Sequence, residues 1–330
     1  SITSHEAGGG PREGEFDDII ICEGMTPTSL EQQLSGRSLA STSRVGKQMW
    51  LTFTAAGDKK RKRGKEESPE SVSLLLHLGM TGSVAVKSVK SFSYVQRTVD
   101  ACGEWPPKFT KLQLGFSNGK KVAFVDPRRL GRIRLRPGDP MASPPLSKLA
   151  PDAYHSLIHV DSMIEALGKI SAPLKAVLLN QERILSGVGN WIADEVCYQS
   201  GIHPESVCRT LGDDQVKSLH KAIELVMSAG VGCKADYKQF PSDWLFHYRW
   251  GKGKNNSSKD AHGNPIEFVS VGGRTTAVVA KVQRKGNNAP AKAKTETKRK
   301  TPAKAKGKGR AAKEKQEEKV DGEMKKGKAK

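Results

Sequence analysis

Between Gly14 and about Arg136, apolar residues come in short runs, many alternating with polar ones, separated by turn-forming residues: DDIIIC, MWLTFT, SVSLLLHLGM, GSVAVKS, TKLQLGF, KKVAFVD and RIRLRP. This period predicts several short strands folded as a sandwich or barrel. Past the proline-rich stretch RPGDPMASPPLSKLAPDAYH the period becomes helical. In DDQVKSLHKAIELVMSAG, Val216, Leu219, Ile223, Val226 and Met227 fall on one face, with Gly230 as the stop. SAPLKAVLLNQ predicts a helix capped by Ser171 with Pro173 in its first turn, and NWIADEVCYQSG predicts another ending at Gly201. After Gly251 strand patterning returns in NPIEFVSV and GGRTTAVVAKVQ, which predict a hairpin. Residues 1–15 match neither pattern. KKRKRGKEESPE (59–70), with no apolar residue, predicts an exposed loop between two strands: a solvated charge run or a nuclear-localisation patch.

Charge sharpens this picture. Residues 284–330 hold 18 Lys and Arg against 6 Asp and Glu, so they carry +12 of the chain's total of +20 and leave +8 for residues 1–283. Such a tail cannot bury enough apolar surface to fold, so it is expected to be disordered. Both parts being basic, a polyanion is the natural partner. Nucleic acid is favoured over membrane, because no run of about 18 apolar residues and no basic helix with a bulky apolar face is present. Five scattered cysteines (Cys22, Cys102, Cys197, Cys208 and Cys233) form neither a disulfide framework nor a zinc knot, which fits a reducing compartment.

The most pointed local chemistry is GVGNWIADE (187–195), where two glycines step straight into a helix. Asn190 stands where an N-cap would be. Free N–H groups and the positive end of the helix dipole would face outward there and suit an anion such as phosphate. The same residues also serve a capped loop that holds no ligand.

RVGKQMW, LLHLGMTG, VDPRRLG, LSGVGNWIADEV with GIHP, and GGRTTAVVAKVQ occur in this order. Together they resemble the formamidopyrimidine-DNA glycosylase (Fpg/Nei) family of base-excision repair enzymes, above all its plant and fungal branch, over residues 20–283. The resemblance implies a multi-domain α+β fold: an irregular start (1–15), a β-sandwich domain (16–140), a helix-two-turn-helix DNA-binding domain (141–236), a β-hairpin finger (237–283) and a disordered Lys-rich tail (284–330). It implies a monomer that binds damaged double-stranded DNA in the nucleus, excising oxidised purines and nicking abasic sites. Lys47, Lys175, Asn190 and Arg274 would hold backbone phosphates, and Arg's fork suits that role better than Lys. A base must leave the stack before it is cut, and the gap must be filled. Met80, Arg128 and Leu130 match the filling residues, with Leu130 where the family carries an aromatic. His77 is implied as a structural or phosphate-side residue and Glu195 as a support of the 187–190 turn. For Lys47, Met80 and Lys175 the plain alternatives are an exposed lysine, a core methionine and an outward helix face.

Two departures qualify the resemblance. Bacterial relatives carry four finger cysteines, whereas 249–283 has none, so no tetrahedral zinc site is expected, and no cofactor. The family's nucleophile is an N-terminal proline amine beside a glutamate. No catalytic residue is therefore expected within this chain, which opens on Ser1 and is read as lacking its true beginning. The alternatives are a non-catalytic damaged-DNA-binding protein and a chromatin-associated basic protein.

Overall fold

The computed structural model describes residues 1–56, 71–90, 102–251 and 258–286. The charged segment 59–70, expected as a loop, and residues from 287 onward lie outside them.

Two four-stranded antiparallel sheets face each other in the first half. One has the order β1 (Ile2–Thr3), β6 (Thr110–Gly115), β7 (Lys121–Val125), β5 (Ser83–Val86). The other runs β2 (Ser38–Val45), β3 (Gln48–Thr54), β4 (Val72–His77), β8 (Arg132–Pro137). Leu51, Phe53, Leu74 and Leu76 from one sheet meet Leu112, Leu114 and Phe124 from the other in a single buried cluster. The second sheet has apolar contacts on its outer face as well, where Trp50 and Leu75 pack against Leu146. That explains the unbroken apolar run in β4, since a strand covered on both sides does not alternate.

Two expectations for this half are corrected. Residues 1–15 are not wholly irregular: Ile2 and Thr3 pair with Leu114 and Gln113, and Ala7 bridges Thr110. DDIIIC is a tight turn rather than a strand, because Asp17 O accepts from both Ile20 N and Ile21 N. This folding buries Ile20 and Ile21 side by side and leaves Ile19 outside. An unforeseen helix, α1 (Pro27–Leu34), follows. Thr26 and Ser29 cap it reciprocally with Pro27 in its first turn, and Leu30 and Leu34 seal the core.

The second half packs α2 (Val160–Gly168), α3 (Leu174–Leu179), α4 (Asn190–Gln199) and α5 (Asp213–Gly232) around one core. The α5 stripe is buried as its spacing predicts, but the helix runs two residues past Gly230. Ser171 does not cap α3, whose cap position is Pro173 with no side-chain bond. Phe240, Trp244 and Phe246 belong to this helical core, so the finger's expected start at 237 falls inside it. The hairpin consists of β9 (Glu267–Val271) and β10 (Arg274–Val278). They are joined by Gly272 and Gly273, both with positive φ, as a two-residue turn requires. The packed fold also continues past 283: Arg284 exchanges backbone hydrogen bonds with Gly201 and His203.

Candidate nucleic-acid interface

Sheet register gathers the sandwich's candidate residues at one end. Gln48 pairs with His77 and His77 with Arg132, so the β2–β3, β4–β5 and β7–β8 turns emerge together. The β4–β5 turn presents Met80, which is 65% exposed and therefore no core methionine. His77 supports this turn, its Nδ1 accepting from Gly79 N at 3.2 Å. Burial, then the charge of Lys47, holds His77 below its usual pKa and keeps that nitrogen an acceptor.

Asp126 joins this turn to the next. Fully buried, it accepts from Thr81 Oγ1 at 2.7 Å and from the N–H groups of Arg128, Leu130 and Gly131 at 3.2, 2.8 and 2.6 Å. One carboxylate thus shapes both loops. It leaves Arg128 exposed and Leu130 39% exposed. Arg129 between them adopts φ +56° and turns inward to a two-point bond with buried Asp17, at 2.8 and 3.0 Å. Asp17 also faces Lys111, itself paired with Glu6. An inward Arg129 leaves its neighbours Arg128 and Leu130 exposed, and Leu130's backbone packs against Met80's turn at Gly79.

Lys47, at the β2–β3 turn, reaches into the helical half, where its Nζ donates to Val188 O at 2.7 Å. Asn190 opens α4 from the same loop, and its Nδ2 donates to Thr275 O of the hairpin at 3.2 Å. The N-cap is Gly189, not Asn190, which stands at the first helical position. Asn190 Oδ1 has no partner among the described residues. Burial, together with the charge of Arg274, lowers Lys47 to about 8. Lys47 beside Val188, and Asn190 bonded to the residue after Arg274, bring two cations from distant parts of the chain near one loop, and no described carboxylate pairs with either. The chemistry of two such unpaired cations is anion binding.

Lys175 does not join them. The side chain is fully buried, and Nζ donates to Asp194 Oδ1 at 2.5 Å, Thr276 Oγ1 at 2.7 Å and Thr275 O at 3.2 Å. All three donors are used inside the fold, so a phosphate finds none left. Asp194, which the sequence reading passed over, also holds Arg249 through Nε and Nη2 at 3.1 and 2.6 Å and accepts from Ala277 N. This cluster ties the hairpin to α3 and α4. Glu195 is likewise corrected: it accepts from Leu245 N and Phe246 N at 3.2 and 2.8 Å, supporting that turn rather than 187–190. Burial pushes its pKa up to about 7. Among the described residues no group of three or more His, Cys, Asp or Glu is arranged to hold a metal, and no helix is long and apolar enough to cross a membrane.

The loops meeting at one end of a sandwich, with a helical module and a hairpin beside them, have counterparts in known proteins. The formamidopyrimidine-DNA glycosylase N-terminal domain matches residues 13–133, and that enzyme's H2TH domain matches residues 149–242. The chain is 35% identical over 268 residues to the formamidopyrimidine-DNA glycosylase of Arabidopsis thaliana, covering 81% of this chain and 64% of that protein. It is 30% identical over 275 residues to the Bacillus subtilis enzyme, covering 81% and 88%. In fold it is similar to Lactococcus lactis formamidopyrimidine-DNA glycosylase bound non-covalently to DNA containing an AP site, with TM-score 0.59, 23% identity, and 78% and 86% of the two chains covered. Two matched domains in order, together with the identity to enzymes of that name over most of the chain, mean that this chain belongs to the formamidopyrimidine-DNA glycosylase family.

Proposed function

We propose that this protein acts in base-excision repair as a DNA glycosylase and AP lyase on oxidised purines, binding damaged duplex DNA as a monomer in the nucleus. The observation that carries the reading is the convergence of Lys47, bonded to Val188 O, with Asn190, bonded to Thr275 O next to Arg274. Burial, and then the like charge of Arg274 without a described counter-ion, lower Lys47's proton affinity, and a bound phosphate offsets both. In this reading Lys47, Asn190 and Arg274 grip the backbone at the lesion, and Lys175 and Asp194 hold the finger that carries Arg274. Met80, Arg128 and Leu130 enter the gap left by the everted nucleotide. An aliphatic Leu130 forgoes stacking worth ~1–3 kcal/mol per base, so opposite-base preference is expected to be weaker than with an aromatic. In this reading the functional parts are a sandwich, a helical module and a finger that begins after the aromatic residues of the helical core. Nuclear import is assigned to 59–65 or to the Lys-rich tail. Reporter fusions of each segment distinguish them, and cytoplasmic retention of both counts against it.

Attack at C1′ is assigned to no residue of this sequence, because the proline and glutamate that the family implies have no match in it. The grip is tested by Lys47→Ala, Asn190→Ala and Arg274→Ala in binding to an abasic-site duplex at about 0.1 M salt. Each should weaken binding, and the two cationic positions should also flatten the salt dependence. Parent-like affinity in all three refutes the reading. The chemistry is tested by borohydride trapping on 8-oxoguanine DNA after fusing a Pro-Glu-headed helix ahead of Ser1. Absence of trapping with the grip intact favours a non-catalytic DNA-binding protein.

A further inference from the structure

Lys47 and the 186–190 loop come from different halves of the fold, so something must hold them in register. Asp152 stands at their junction, nearly fully buried. Its Oδ2 accepts from Gly46 N at 2.6 Å and from Arg44 Nη1 at 2.9 Å, while Oδ1 accepts from Tyr154 N and His155 N, both at 2.9 Å. Arg44 Nη1 also donates to Gly46 O at 2.7 Å. On the helical side Asp152 bridges Ser186, with Ala153 N donating to Ser186 O and Ser186 N to Pro151 O, each at 2.9 Å. The backbone carrying Asp152 is thus fastened to the loop that ends in Val188, Gly189 and Asn190. Its carboxylate grips the turn that carries Lys47. Burial opposes ionisation of Asp152, but the N–H groups of His155, Gly46 and Tyr154 and the Arg44 guanidinium outweigh it and hold the carboxyl below its usual pKa.

We propose that Asp152 is a positioning residue for the phosphate grip, clamping the Gly46–Lys47 turn onto the 186–190 loop so that Lys47 Nζ sits at Val188 O beside Asn190. The proposal rests on the reading of Lys47 as a phosphate ligand. Asp152 acts through Lys47 and does not itself touch DNA. Four donors converge on two oxygens, so an amide nitrogen in place of either oxygen meets two donors and breaks that side of the clamp. Gly46 offers an independent lever. At φ +57°, a Cβ there would lie 2.9 Å from Ser186 Cβ and Oγ, so Gly46→Ala pushes the same turn away while leaving Asp152 intact.

The experiment measures the affinity of the full chain for a duplex containing a tetrahydrofuran abasic analogue, across a salt series, with thermal melting as a check on folding. Lys47→Ala is expected to weaken binding about tenfold, as for loss of a hydrogen bond to a charged group. It should also reduce the slope of log K against log salt by about 0.9. Asp152→Asn and Gly46→Ala should each reproduce most of both changes, and Asp152→Asn should add almost nothing in the Lys47→Ala background. A purely structural defect would add to Lys47→Ala and leave the salt slope unchanged. Parent-like affinity and slope in both clamp variants, with Lys47→Ala impaired, overturns the proposal, as does full additivity. If Asp152→Asn fails to melt cooperatively, Gly46→Ala decides the matter alone by the same criteria. A Lys47→Ala variant that binds like the parent overturns the phosphate reading itself, and the clamp's role with it.

Discussion

Replacing Lys175 by Met separates a strut from a DNA ligand. The substitution keeps an unbranched side chain of similar length in a fully buried position, so little cavity forms and the loss is electrostatic. Asp194 Oδ1 loses its partner at 2.5 Å, whereas Oδ2 keeps Arg249 and Ala277 N. Thr275 O retains Asn190 Nδ2, and Thr276 Oγ1 retains Arg274 O. The damage is concentrated on one carboxylate oxygen. Breaking a buried ion pair costs about 3–5 kcal/mol, and Arg249's remaining charge puts this case near the lower end, about 3 kcal/mol. For a body of this size, that lowers the melting temperature by roughly 6–12 °C. Urea or thermal melts followed by circular dichroism read the stability. Binding to an abasic-site duplex, well below the melting range, reads the site. The expected result is a large loss of stability with the salt slope of binding unchanged, because no phosphate contact is removed. A variant that melts like the parent but loses about one unit of salt slope would refute the strut and restore Lys175 to the DNA interface.

Glu195, raised to about 7 by burial against an unfolded value near 4.5, binds its proton more tightly in the fold. Its contribution is therefore fully present below about pH 4.5 and lost as pH rises through about 7. Relative to Glu195→Gln, the parent should lose about 2.5 kcal/mol between pH 5 and 8 in urea melts, and a pH-independent difference would contradict this. Lys47, lowered to about 8, should make abasic-duplex affinity fall between pH 7 and 9 as the free protein loses that proton, and Lys47→Ala should flatten the profile. A parent profile already flat over that range would count against Lys47 as a charged ligand. Truncation after Gly286 should lower affinity for undamaged DNA and keep a cooperative melt, because 284–286 stay docked and most of the tail's charge is removed. Loss of the melting transition would show that the tail contributes to folding.

Local signals in the sequence were sufficient for much of this molecule. Alternation with turn residues located β3 through β8, a helical stripe located α5, and Gly272-Gly273 between β-rich runs located the hairpin, because strand, helix and tight-turn preferences depend on near neighbours. The ordered motifs around Lys47, Met80, Arg128, Asn190 and Arg274 were enough for the family. Locally similar residues were misread where a distant partner decides their state. DDIIIC has strand composition, yet Asp17 is committed to Lys111 and Arg129, and the segment closes into a turn. Helix α1 was missed because only Leu30 and Leu34 are buried, too few to make a stripe, although Thr26-Pro27 is a start signal. Helical spacing puts Lys175 on a face of α3 without saying what lies opposite. Only tertiary packing, which brings Asp194 and Thr276 to that face, turns a surface cation into a buried strut. Asp126, Asp152 and Asp194 were silent for the same reason. A buried carboxylate is stable only where donors converge on it, and these donors arrive from as far as 45, 108 and 83 positions away, a convergence the fold creates and the local pattern does not encode.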